Sequence, residues 1–380
     1  MPSIVQITQR VLSGEEVWRH TDGNYYFGQP GYADIYATYV PRVLNFLHRL
    51  KREIDQYYRP RPGRCTNYED LYYVASQIHD SELEEYDNPA VQPLIEKIGP
   101  EIQPLLVDNE NDGIQQWQLH ELACESTNYI EDVARHSLDK DPTRTDHLNS
   151  LKDACLDSRL PSVDIFTLNY DTVLERCLQE NGVQFADGFG DPENDVRYWK
   201  PDLFDQPFKV RLFKLHGSVN WFRFASDRGN WSDESIGIPP GGDIWHTRNR
   251  AGEMQRPIDG RPMLLAGTFN KMLQYTSGIY ADLHYQFYRS LRHTRRLVVC
   301  GYGFGDKGIN AQIIEWVDSS PDQRIIVVHP RPEELKRAAR GAISQNWTHW
   351  ASQDKMTVIS RPVEETSWQD MWDSLFNTEG

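Results

Sequence analysis

The sequence predicts an α/β fold, a mostly helical stretch over residues 1–155 followed by a parallel-sheet domain over residues 156–380. Two observations carry this. Up to about residue 140, apolar residues recur at the three- and four-residue intervals of a buried helix face. Near residue 160 the pattern changes to short β-branched runs separated by segments that read as helices, the alternation of a parallel sheet covered on both faces.

Taken in order, Val40, Val43, Leu47, Leu50 and Ile54 line one helical face, and Pro41 stands where a first turn tolerates proline. Leu71, Val74 and Ile78 make a second face, and Ile114, Trp117, Ile130 and Val133 continue the pattern. The strands of the sheet are expected in "SVDIFTL", "VRLFKL", "PMLLAG", "RRLVVC", "QRIIVV" and "KMTVIS". Residues 224–260, rich in Gly, Pro and Asp, read as a long loop of the kind that forms lids or binding elements.

The chain's 380 residues exceed what one core usually holds, and 39% apolar and 12% aromatic residues suffice to bury a large core. A formal charge of −16 opposes direct binding to an anionic phosphate backbone. There is no membrane span and no signal-peptide layout, so a cytoplasmic location is expected. Cys65, Cys124, Cys155, Cys177 and Cys300 are scattered and form no Cys-x-x-Cys pair, which fits free thiols and argues against a zinc ribbon. His120 and Cys124 share a helical face, but two ligands do not make a zinc site, so no metal is expected. No Ser-His-Asp nucleophile elbow is present.

Parallel sheets bind ligands beyond the carboxyl ends of their strands, which makes polar residues there the site candidates. Asn169, Tyr170 and Asp171 follow the first run. An amide there suits a ribose hydroxyl or a water, while Asp171 and the Thr172–Glu175 spacing also fit a turn and a capping box. His216 ends "FKL" and precedes Gly217 and Ser218, either as a general base or as a structural histidine. "VVCGYGFGDKGIN" places Gly301, Tyr302, Gly303, Phe304 and Asp306 in a strand–turn–helix. Asp306 at the sixth position of a G-x-G-x-x-G pattern would repel a pyrophosphate, so a hydride-transferring dehydrogenase is disfavoured and Asp306 is expected to cap the helix. Thr268, Asn270 and Lys271 follow "PMLLAG" and read equally as site residues or as a solvated turn.

The ordered set "TLNYD", "KLHGS", "GTFNK" and "VVCGYGFGDKGIN", over about residues 160–330, resembles the prokaryotic sirtuin-like family of NAD hydrolases. The resemblance implies a Rossmann-like, DHS-like sheet with a large helical N-terminal insertion, and NAD as substrate without a metal. It implies Asn169 and His216 as the catalytic pair, and Thr167, Tyr170, Asp171, Gly217, Gly301, Tyr302, Gly303, Phe304, Asp306 and His329 around the ribose and adenine, with Pro330 beside His329. It further implies a role in anti-phage defence, a homo-oligomer, and a helicase-like, nuclease-like or Argonaute-like partner. On this reading His216→Ala and Asn169→Ala abolish turnover and leave the thermal melt nearly unchanged. The family's glycine-rich phosphate loop has no counterpart at "MPSIVQIT", so either the start is misassigned or the alternative holds, a shortened form that is a non-catalytic or partner-completed interaction subunit. Deacylation is disfavoured by the absent zinc-ribbon cysteines.

Overall fold

The computed structural model describes residues 2–30, 36–60, 64–85, 88–107, 116–142, 144–226, 234–267 and 274–376. In chain order the first elements are α1 (Ile4–Ser13), β1 (Val17–Arg19), β2 (Tyr25–Phe27), α2 (Tyr39–Tyr58), α3 (Tyr68–Glu82), α4 (Gln92–Leu106), α5 (Leu119–Leu138) and α6 (Asn149–Leu156). Then come β3 (Val163–Thr167), α7 (Val173–Glu180), β4 (Phe185–Ala186), β5 (Phe189–Glu193), β6 (Val196–Trp199), β7 (Val210–Lys214), β8 (Gly217–Ser226), β9 (Ser235–Ile238) and β10 (Gln255–Leu264). The last are α8 (Gly278–His293), β11 (Arg296–Cys300), α9 (Lys307–Asp318), β12 (Arg324–Val328), α10 (Pro332–Ala338), α11 (Gly341–Ser352), β13 (Met356–Ile359) and α12 (Trp368–Phe376).

The chain divides into two compact units, one of residues 1–140, 192–197 and 217–271, the other of residues 141–191, 198–216 and 272–380. In the first, the predicted helical faces are buried: Val43, Leu47 and Leu50 of α2, Leu71 and Ile78 of α3, and Ile130 and Val133 of α5. Ile114 lies outside the described residues. Helices α1 and α3 start on capping boxes, Ser3 with Gln6 and Asn67 with Asp70, which satisfy amide groups that would otherwise lack partners.

Two expectations are corrected in this unit. Residues 224–260 are not one long loop: β8 runs through Ser226, and β9 and β10 follow within the expected loop. "PMLLAG" does not add to a parallel sheet, because its first residues end β10, which pairs antiparallel with β8. The order is β10-β8-β9-β6-β5, to which this unit contributes residues 192–197 of the β5–β6 hairpin.

The second unit carries two parallel three-stranded sheets, β3-β7-β4 and β11-β12-β13. The five apolar runs at residues 163–167, 210–214, 296–300, 324–328 and 356–359 supply all but β4. This mixed α/β arrangement with parallel sheets is consistent with a Rossmann-type fold. One core joins Cys155, Ile165, Leu178, Val183, Val210 and Leu212 around β3 and β7; another joins Ile326, Val328, Ile359, Met371 and Leu375 around β12 and β13.

Gly188 shows how tightly this unit is packed. Its φ is +83°, and a Cβ there would lie 2.2 Å from the Trp199 ring and 2.9 Å from Phe204. Gly188→Ala is therefore expected to destabilise the unit by about 2–4 kcal/mol, read by urea melts, since left-handed strain and overpacking add.

Candidate active site

β3 and β7 run parallel with Thr167 opposite Lys214, and the pairing continues as the Leu215 amide donates to the Thr167 carbonyl at 3.0 Å. The two carboxyl ends therefore lie side by side, with Asn169 two residues past one and His216 two past the other. The Asn169 backbone amide donates to Thr167 Oγ1 at 3.1 Å. Its side chain is exposed and makes no hydrogen bond among the described residues, so the amide is available to a ligand.

The turn between β3 and α7 is held from below by Lys214, which the sequence reading passed over. This lysine is 2% exposed, and its ammonium donates to the Tyr170 and Asp171 carbonyls and to Glu175 Oε1 at 2.9 Å. The expected Thr172–Glu175 capping box does not form. Glu175 is drawn to the buried cation, and Asp171 Oδ1 accepts the Val173 amide at 3.0 Å instead. A buried lysine needs a counter-charge more than a helix needs a second capping bond.

His216 is 3% exposed and is the centre of a cluster. Its Nε2 lies 3.1 Å from the Tyr275 hydroxyl and 3.3 Å from Asp306 Oδ2, and the Tyr275 hydroxyl donates to the same Oδ2 at 2.7 Å. Asp306 Oδ1 accepts the Ile309 amide at 3.0 Å and so caps α9, as expected from the sequence. Burial pushes the Asp306 carboxyl up, but the bonds from His216, Tyr275 and the Ile309 amide outweigh it and hold the group well below the usual carboxylate range. Burial, and then the Asp306 charge, raise the Tyr275 phenol far above its ordinary value.

Rings stack behind this contact. The Tyr275 ring lies 6.2 Å from that of His216 and 3.6 Å from that of His284, both near parallel. His284 is 6% exposed, and its ring makes at most a weak contact with the Leu215 backbone. Burial, and then the nearby His216 charge, hold its pKa down to about 4, so it is neutral at pH 7. Tyr170 brings a further ring, 6.4 Å from His216.

His216 therefore sits in a packed hydrogen-bonded setting, and the expectation that His216→Ala leaves the melt unchanged does not survive its burial. Tyr302 fastens the turn that presents Asp306: its hydroxyl accepts the Asp306 amide at 3.2 Å and donates to Asn310 Oδ1 at 2.9 Å. Gly301 adopts φ +66° and Phe304, fully buried, φ +52°, so the turn is left-handed at two points, while Gly303 is exposed.

Gly217, with φ +87°, opens β8. His329 follows β12, where its Nδ1 accepts the Arg331 amide at 3.0 Å and Pro330 is exposed. Among the described residues, no hydrogen bond or ring contact joins Asn169 or His329 to His216. Thr268, Asn270 and Lys271 lie outside the described residues. Among those described, no group of three His, Cys, Asp or Glu is placed to hold a metal, and no helix is long and apolar enough to cross a membrane.

A search of curated proteins finds no match to this chain. Residues 163–351, which run from β3 through α11 and include Asn169, His216, Tyr275, His284 and Asp306, match the family model described as SIR2-like domain. That match is consistent with NAD-dependent enzymatic activity and supports a sirtuin-like relationship over those residues.

Proposed function

We propose that this chain hydrolyses NAD to ADP-ribose and nicotinamide, as an effector of prokaryotic anti-phage defence that works as a homo-oligomer. The supporting observation is that an exposed amide, Asn169, and a buried imidazole, His216, stand at the carboxyl ends of paired parallel strands within the SIR2-like match. The bond between ribose C1′ and the pyridinium nitrogen breaks, and its electron pair leaves with nicotinamide, which departs neutral. Water adds to the oxocarbenium-like carbon, and its proton passes to a base. The site therefore needs no strong acid; it needs a positioned water, a base and stabilisation of developing positive charge on the sugar. Asn169 holds the water or the ribose hydroxyls, and His216 takes the proton.

The test is release of nicotinamide from NAD by the purified full chain. Asn169→Ala is expected to lower the rate about 100-fold or more with an unchanged melt, as for loss of one positioning donor. No release from the unaltered chain, alone or with its partner, overturns the reading.

One observation favours a second reading, a site completed by a partner protein. Among the described residues β3 pairs only with β7 and β11 only with β12, which leaves an open edge on each strand. Such a chain is silent alone and releases nicotinamide once the partner binds.

A further inference from the structure

We infer that Asp306, acting together with the Tyr275 hydroxyl, fixes His216 in the tautomer that carries its proton on Nε2, so that Nδ1 is the nitrogen that accepts a proton. The inference deepens the NAD-hydrolase reading by naming the positioning residues of its base, and it rests on that reading only for its consequence in catalysis.

An ionised carboxylate only accepts, and Asp306, which accepts the Ile309 amide and the Tyr275 hydroxyl, is held well below the usual carboxylate range. The Tyr275 hydroxyl has one proton, and at 2.7 Å from Oδ2 that proton belongs to the Asp306 bond. What remains for His216 Nε2, 3.1 Å from the phenol oxygen and 3.3 Å from the carboxylate, is to donate. An imidazole that donates from Nε2 has its lone pair on Nδ1 when neutral. The nearby carboxylate also stabilises the imidazolium, which raises the basicity of the ring.

Among the described residues, the titratable groups facing His216 are Asp306 at the start of α9, Tyr275 and His284 ahead of and on α8, and Tyr170 after β3, with the Lys214 ammonium bonded to the Tyr170 carbonyl. Tyr275 stays a neutral phenol and His284 stays uncharged, so Asp306 is the facing group that carries opposite charge to an imidazolium. Two histidines next to one tyrosine ring are thereby set to different tasks, one able to take a proton and one kept neutral. Tyr275 itself is seated by the helix start: a Cβ on Gly308 would come within 2.8 Å of its ring.

The experiment follows the histidine ring nitrogens of the full chain by two-dimensional NMR on protein labelled with ¹⁵N-histidine, the His216 signals being those lost in His216→Gln. The expected result is an Nε2–H pattern in the neutral ring. In Asp306→Asn, which keeps a side chain able to cap α9, the His216 pKa is expected to fall by about one unit or more. The acid limb of nicotinamide release moves to lower pH by the same amount. Tyr275→Phe keeps the carboxylate and is expected to preserve the tautomer with a smaller shift. An Nδ1–H pattern in the unaltered protein, or a His216 pKa unmoved in a folded Asp306→Asn variant, overturns the inference. Absence of nicotinamide release strikes the proposed activity alone, because the NMR arm reads the ring without substrate.

Discussion

His216→Ala is expected to lower nicotinamide release by about 100- to 10,000-fold, the range for loss of a positioned general base. It is also expected to cost stability. The imidazole is one of three donors to a buried carboxylate, and removing a hydrogen bond to a charged group costs about 1.5–3 kcal/mol. Loss of activity in the alanine variant alone would therefore be ambiguous between chemistry and folding. His216→Gln separates them, because its side-chain amide can still donate towards Tyr275 and Asp306 but cannot take a proton near neutral pH. The expected pattern is a melt close to the unaltered protein for glutamine, a lowered melt for alanine, and a comparable large loss of turnover in both. Turnover retained by glutamine would show that the imidazole is structural and that the base lies elsewhere.

The parts of this site that could be read in the sequence are those fixed by local geometry. A strand buried on both faces announces itself as an uninterrupted apolar run, and the first polar residues after it are its carboxyl end; Asn169 and His216 are legible that way, and Asp306 as the cap of the helix that follows the glycine turn. Tyr275 and His284 carry no such mark. Tyr275 meets His216 across 59 residues of chain, and His284 lies within a helix whose pattern resembles any other. Lys214 did leave a signal, a lysine inside the run "FKLHG", where a strand buried on both faces has no use for an unpaired charge. β10 was missed for a different reason. Its sequence "QRPIDGRPML" contains two prolines and a glycine, turn chemistry by composition, and the strand accommodates them by shifting register against β8 near Pro257 and Pro262.

The largest stability effect is expected outside the site, at Arg261. Its guanidinium, 10% exposed, donates from Nη2 at 3.0 Å and from Nε at 3.2 Å to Oδ2 of Asp132, which is 1% exposed, and binds the Gly23 carbonyl at 2.6 Å. The same Oδ2 accepts the Tyr25 amide at 2.8 Å, so the pair ties β10, α5 and the β1–β2 hairpin into one unit. Asp132 Oδ1 has no hydrogen-bond partner among the described residues. Burial accordingly prevails over the arginine, and the Asp132 pKa is pushed up to about 6. A carboxyl whose pKa rises on folding holds its proton more tightly in the folded state, so its contribution is present at low pH and is lost as pH climbs from about 4 to about 6. The ion pair does not stabilise the fold outright; it limits the cost of a buried carboxylate. Removing the cation exposes that cost, and Arg261→Met is expected to destabilise the chain by about 3–5 kcal/mol at neutral pH. The deficit should shrink in urea melts at pH 5, where Asp132 takes a proton more readily, and Asp132→Asn introduced beside Arg261→Met should recover part of it. A deficit that is the same at pH 5 and pH 8 would mean that packing of the arginine stem, and not the orphaned carboxylate, carries the effect.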